Sequence, residues 1–168
     1  MNTRKLTLSA LLLAADILLT RVLALNTPIM KIGLGFAAVA VCARLYGAPW
    51  AALIAALGDF LGSILFPTGA YFPGFTLTAA LTGLLFGLCL HRESVRWYRP
   101  VLAAALNCVL ISYLANSAMI AFISGNTFRA MLTARAIQLT VMLPTQILVL
   151  LWLSRSGFIR RLIEHAQE

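Results

Sequence analysis

The sequence predicts an all-α integral membrane protein: a bundle of six transmembrane helices, the second one short, with both termini in the cytoplasm. Three observations carry that prediction. The 168 residues are 61% hydrophobic and only 11% charged, with a mean hydropathy of +0.93; soluble domains are about half apolar and about a quarter charged. The apolar residues collect into six runs, most of them close to the ~20 residues that cross roughly 30 Å of hydrocarbon as a helix. The basic residues gather at alternate ends of those runs. So few charges cannot coat a globule, which excludes a soluble enzyme and a disordered tail. A net charge of +8 and a pI near 10.3 would suit nucleic acid in a soluble basic domain. Here long apolar stretches separate the basic residues, so no nucleic-acid partner is expected and the partner surface is the lipid bilayer. The length suits one domain, residues 1–168.

The first run, 6–25, is long enough to span, although it contains Asp16 and Arg21. The second, 32–43, is apolar but short, so it forms a short, tilted or partly re-entrant segment. The third, 49–66, is rich in alanine and glycine, and 75–90, 100–123 and 133–153 complete the set. Pro49 and Pro100 suit first-turn positions, where no backbone N–H is needed. Pro144 falls inside the sixth span, where it should kink the helix and release the Thr140 carbonyl. Cys42, Cys89 and Cys108 sit within apolar runs, odd in number and without a CxxC spacing. They read as small buried residues rather than disulfides or metal ligands.

Six crossings put both termini on one side. If that side is the cytoplasm, it carries Arg4, Lys5, Arg44, Arg92, Arg96, Arg99, Arg155, Arg160 and Arg161, against Lys31 and Arg129 outside. A nine-to-two bias favours that orientation by the positive-inside rule. Tyr46, Trp50, Trp97, Tyr98 and Trp152 then form an inner aromatic belt.

Ionisable side chains within a bilayer are costly and usually face a cavity or a partner. Arg21, Lys31, Arg129 and Arg135 all lie near the outer level, either converging on an anionic ligand or snorkelling to headgroups. Gln138, Met142 and Thr145 follow Arg135 at helical spacing, a partly polar face that lipid does not require. The outer loop 66–76 holds two prolines and two glycines, which fix an ordered shape. It presents Tyr71, Phe72 and Phe75 as flat faces for a planar ring, or as interfacial anchors. Asp16 and Asp59 suit a structural or ligand-site role, a pairing with Arg21, or ion coupling. Asn107, Ser112, Asn116 and Ser117 suit interhelical hydrogen bonds, with Asn116 placed to meet a ligand. Ala10 and Ala14 form a small-residue stripe at the inner end of the first span, where a membrane partner can dock. No GxxxxGK followed by Ser or Thr occurs, so no ATP site or other cofactor is expected on this chain. There is no catalytic constellation and no obvious inverted repeat.

The stretch GDFLGSILFPTGAYFPGFTLTAALTG at 58–83 resembles the signature of the folate-type substrate-binding subunits, or S components, of energy-coupling factor (ECF) transporters. TPIMKIG at 27–33 is similar to that family's first outer loop and second span, and the Ala10-xxx-Ala14 pair matches its contact with the coupling subunit. The resemblance implies a subunit of a prokaryotic plasma membrane that captures a vitamin, folate, from outside and reorients to deliver it inward. It implies a transmembrane coupling subunit and two ATPase subunits as partners, and no catalysis by this chain. The site it implies comprises Arg21, Lys31, the loop with Pro67, Thr68, Gly69, Tyr71, Phe72 and Phe75, then Asn116, Arg135 and Gln138. A flat pterin suits the aromatic residues and Gln138; two glutamate carboxylates suit the arginines. Pantothenate or another small carboxylate is the alternative within the family. An ion-coupled carrier using Asp16 and Asp59, or a scaffold without a ligand, are the alternatives outside it.

Overall fold

The computed structural model describes residues 3–26, 31–67, 71–91, 96–125 and 127–156. Six helical rods account for most of them. The first is α1 (Thr3–Ile17), continued by a π-helical turn over Leu18–Val22. Two-residue strands β1 (Leu25–Asn26) and β2 (Lys31–Ile32) then pair antiparallel. Next come α2 (Gly35–Tyr46), α3 (Ala48–Leu65) and α4 (Pro73–Leu90). The fifth rod is α5 (Tyr98–Leu106), a π-helical stretch over Asn107–Ala115, and α6 (Asn116–Ser124). The last is α7 (Phe128–Arg155).

The six-rod, all-helical architecture is as the sequence predicts, and α2 is indeed short: its 12 residues span about 18 Å at 1.5 Å each. The boundaries of the first two rods differ from the apolar runs. The first ends at Val22 rather than at residue 25, and the second begins at Gly35 rather than at residue 32. The cause is the small ladder between them. Leu25 and Asn26 satisfy backbone groups across to Ile32 and Lys31 instead of along a helix. Gly47, at φ 85°, ends α2 in a conformation open to glycine and lets α3 start at once. α7 continues through Pro144 as helix, so the proline removes one ladder bond without ending the segment.

The bundle is polar inside and greasy outside. Leu11, Leu23, Leu77, Leu88, Leu148 and Phe122 are exposed, whereas Ser9, Asp16, Thr78, Asn107, Ser117, Arg135, Gln138 and Gln146 are buried. This distribution suits a bilayer, where lipid solvates leucine and only protein or a ligand can satisfy a polar group. Buried residues are small where helices meet. A Cβ on Gly83 would stand 2.6 Å from the Ala51 carbonyl carbon, and one on Gly87 would stand 2.6 Å from the Ala48 Cβ. Thus α4 lies on α3 backbone to backbone.

One end of the bundle is solid. Val39, Ala40, Cys42 and Ala43 of α2, Ala51, Ile54 and Ala55 of α3, Phe86 and Leu90 of α4, Ala103 and Ala104 of α5, and Leu150 of α7 form one cluster. These residues come from the middle and end of α2, the C-terminal halves of α4 and α7, and the first halves of α3 and of the fifth rod. Alternating helix direction puts all of them at the same end, the one the basic residues assign to the cytoplasm. At that end Trp50 Nε1 donates to Ser9 Oγ at 2.6 Å, and Lys5 Nζ lies 4.4 Å from the Trp50 ring centroid. The opposite end is hollow.

Candidate functional site

The hollow is a cavity of about 480 Å³, within the usual ~300–1,000 Å³ range of small-molecule sites. Every rod contributes to its walls. Two local departures from α-geometry bring the polar groups there. In an α-helix Asn107, Ser112 and Asn116 would spread over about 180°. Hydrogen bonds of the i→i+5 kind instead place residues four and five apart on one face, and all three of these side chains line the cavity. The π-turn at Leu18–Val22 does the same for the first rod, where Asp16, Thr20 and Arg21 all reach the cavity.

On the wall formed by the first rod, α3 and α4, Arg21 and Asp59 neutralise each other. Arg21 Nη2 donates to Asp59 Oδ1 at 3.1 Å and to the Asp59 carbonyl at 3.3 Å. Asp59 Oδ2 accepts from Thr76 Oγ1 at 3.1 Å, and Thr76 Oγ1 lies 2.9 Å from Tyr71 Oη. Thr76 has one hydroxyl proton and commits it to Asp59, so Tyr71 is the donor in the last link. The chain Tyr71–Thr76–Asp59–Arg21 therefore ties the mouth of the cavity to the first rod.

The opposite wall keeps its charge. Arg135 is 4% exposed; its Nε donates to Gln138 Oε1 at 3.0 Å and its Nη1 to Ser117 Oγ at 3.3 Å. Both acceptors are neutral, and among the described residues no carboxylate pairs with it. A desolvated guanidinium held by neutral groups keeps its full positive charge, which an anion in the cavity can neutralise. The floor between the walls is a row of amides and hydroxyls. Thr78 Oγ1 donates to Asn116 Oδ1 at 2.9 Å and Thr82 Oγ1 to Asn107 Oδ1 at 2.8 Å. Gln146, 1% exposed, accepts from Cys108 Sγ at 2.7 Å.

Of the residues chosen from the sequence, Arg21, Tyr71, Phe75, Asn116 and Arg135 line the cavity. Three are placed differently. Gln138 lies behind the main wall and holds Arg135. Phe72 turns away: it has extended backbone before Pro73 starts α4, and its ring packs edge-on to Phe75 at 6.1 Å and against Phe122 at 6.5 Å. Pro67 is exposed and is not among the described lining residues. Lys31 pairs with Asn26 through its backbone, and its side chain lies outside what is described. Thr68 and Gly69 also lie outside the described residues. Ala10 and Ala14 are exposed on the outer face of α1. Sequence reasoning missed Gln146 and Thr76. Gln146 is eleven positions after Arg135 in an unbroken helix, which returns it to within about 20° of the same face; that spacing was the available signal.

The family model described as "ECF-type riboflavin transporter, S component" matches residues 1–153. A folate transporter FolT of Clostridium novyi (strain NT) is 32% identical over 141 residues, covering 84% of this chain and 82% of the relative. A folate transporter FolT of Leuconostoc mesenteroides is 29% identical over 153 residues, covering 88% and 82%. A crystal structure of FolT bound with folic acid superposes with a TM-score of 0.86 at 28% identity, over 93% of this chain and 94% of that one. With the family model spanning most of its length, this membrane-embedded chain belongs to the S components of ECF-type transporters.

Proposed function

We infer that this chain captures folate at the outer face of a cell membrane and delivers it inward as the binding subunit of an ATP-driven importer. The carrying observation is Arg135, a buried cation on the cavity wall whose described partners are neutral. A ligand with a carboxylate tail completes that site, and the two FolT relatives and the folic acid complex point to the same tail. Phe75 and Tyr71 offer the faces for a flat ring, and Asn107, Asn116 and Gln146 offer donors and acceptors to its edge. Riboflavin, the ligand in the family model's description, is flat but has no carboxylate and would leave Arg135 without an anion.

The chain works by binding and reorientation and makes or breaks no covalent bond. Nucleotide hydrolysis belongs to two ATPase subunits, coupled through a transmembrane subunit that docks on the Ala10/Ala14 stripe. Four-residue spacing keeps both alanines on one face, and their exposure lets another helix approach closely.

The test is titration of the purified chain in nanodiscs with folate, riboflavin and pantothenate, followed by calorimetry and tryptophan fluorescence. Folate should bind with 1:1 stoichiometry and the highest affinity. Tighter binding of riboflavin or pantothenate, or no heat with folate, overturns the assignment. An absorbance spectrum of freshly purified protein adds an independent readout, since a retained pterin absorbs in the near ultraviolet.

A further inference from the structure

We propose that Asp16 reads the ring of the ligand: its carboxylate accepts the paired N–H donors of a 2-amino-4-oxopyrimidine edge and turns away a flavin. This rests on the reading of the ligand as a folate. Asp16 lines the cavity and is 7% exposed. Two neighbouring helices reach it as bare backbone. A Cβ on Gly35 would stand 2.7 Å from Oδ1, and one on Gly58 would stand 3.3 Å from Cγ while colliding with Oδ2. Thr20 Oγ1 donates to the Asp16 carbonyl at 2.5 Å and lies 3.1 Å from Oδ1, so it sits against the carboxylate from its own helix. The two glycines and the threonine thus hold a carboxylate in one place on the cavity wall, where a leucine or alanine would do if the site only packed.

The charges of the cavity are sorted. Arg21 and Asp59 bond to each other, so the other cation among the described lining residues is Arg135, bonded to the sixth rod's own Gln138 and to Ser117 of α6. Asp16 stands on the wall of the first rod, against α2 and α3. A folate has ends that match both walls. Its glutamate tail carries carboxylates for Arg135. Its pterin carries N3–H and the 2-amino group side by side, two parallel donors that a carboxylate accepts together in charge-assisted hydrogen bonds. The corresponding edge of a flavin places a single N–H between two carbonyls. A carboxylate facing it gains one hydrogen bond and confronts two oxygens, so the same residue that attracts one heterocycle repels the other. Asp16 therefore supplies a reason why a chain matching a riboflavin family model would bind folate instead.

The experiment measures dissociation constants of wild type and Asp16→Asn for folate, 2-desaminofolate and riboflavin. Wild type should prefer folate to the 2-desamino compound by about tenfold or more, since a site built around a buried acceptor rejects an analogue that lacks the donor. In Asp16→Asn folate should bind about 10- to 100-fold more weakly, and the preference for the 2-amino group should nearly vanish. A wild type indifferent to the 2-amino group overturns the proposal without any variant, which settles the matter even if Asp16→Asn fails to fold. A variant that keeps the full preference overturns it as well. If wild type binds no folate at all, the folate reading itself fails; if it binds folate but ignores the 2-amino group, only the role of Asp16 fails.

Discussion

Replacing Arg135 with glutamine should separate binding from stability. In wild type the guanidinium is 4% exposed and bonded only to Gln138 and Ser117 among the described residues. A hydrogen bond to a charged group contributes about 1.5–3 kcal/mol, and every 1.4 kcal/mol is about tenfold in affinity, so Arg135→Gln should weaken folate about 10- to 150-fold. The free protein should lose little, because among the described residues no carboxylate is left behind when the cation goes; removing a desolvated charge offsets the loss of its hydrogen bonds to two neutral acceptors. Ligand-induced stabilisation follows the same arithmetic. At a folate concentration ~100 times the wild-type Kd, binding adds about 2.7 kcal/mol. If affinity falls about 100-fold, that gain shrinks to about 0.4 kcal/mol. Thermal denaturation with and without folate reads both quantities, and calorimetry gives the affinity. 6-Hydroxymethylpterin, which lacks both the glutamate and the benzoate carboxylate, should bind wild type and variant alike. An unchanged folate affinity in a folded variant, or a 6-hydroxymethylpterin affinity that drops in parallel, would refute the assignment of Arg135 to the tail.

Breaking the Arg21–Asp59 pair should act on stability first: Arg21→Gln or Asp59→Asn alone leaves a part-buried charge and should cost about 2–4 kcal/mol, while the double variant recovers part of that loss in a denaturation cycle. Gly83→Leu should push α4 off α3, since even a Cβ there meets the Ala51 carbonyl carbon at 2.6 Å; a loss of at least about 1–3 kcal/mol is expected, read as a lower melting temperature. Ala10→Trp combined with Ala14→Trp should leave folate affinity unchanged, because both positions face away from the bundle. Co-purification with the coupling subunit should be lost; a variant that still assembles removes the stripe from the partner surface.

The gross fold was legible because lipid and protein interior impose opposite demands. Runs of leucine and alanine mark the crossings, and the alternating basic ends orient them. Arg21 and Arg135 were legible as cavity-facing residues because a cation inside an apolar run needs a reason to be there. What escaped were departures from regular geometry. A period of 3.6 residues puts Asn107 and Asn116 on opposite faces, and only the π-helical stretch between them brings both to the cavity. Phe72 and Phe75 read alike in the sequence, but Pro73 sets the start of α4 and sends one ring out and the other in. Gln138 read as ligand-facing because it is polar and near Arg135; its amide instead holds the guanidinium.

The first rod links these parts. Ser9 and Asp16 are buried two turns apart on one face, while Ala10 and Ala14 are exposed on another. The outer half of the rod is tied through Arg21 to Asp59, and from there through Thr76 to Tyr71 at the mouth. The inner half is tied by Ser9 to Trp50. A ligand that spans the cavity would touch Asp16 on this rod and Arg135 on the sixth, adding a bridge across the hollow end where the protein's own packing is thinnest. The binding energy therefore falls on the helix that also carries the small-residue stripe. If the ligand meets both Asp16 and Arg135, loading the site would fix the same rod that presents the stripe, which is the least a binding subunit needs if a separate engine is to recognise when it is full.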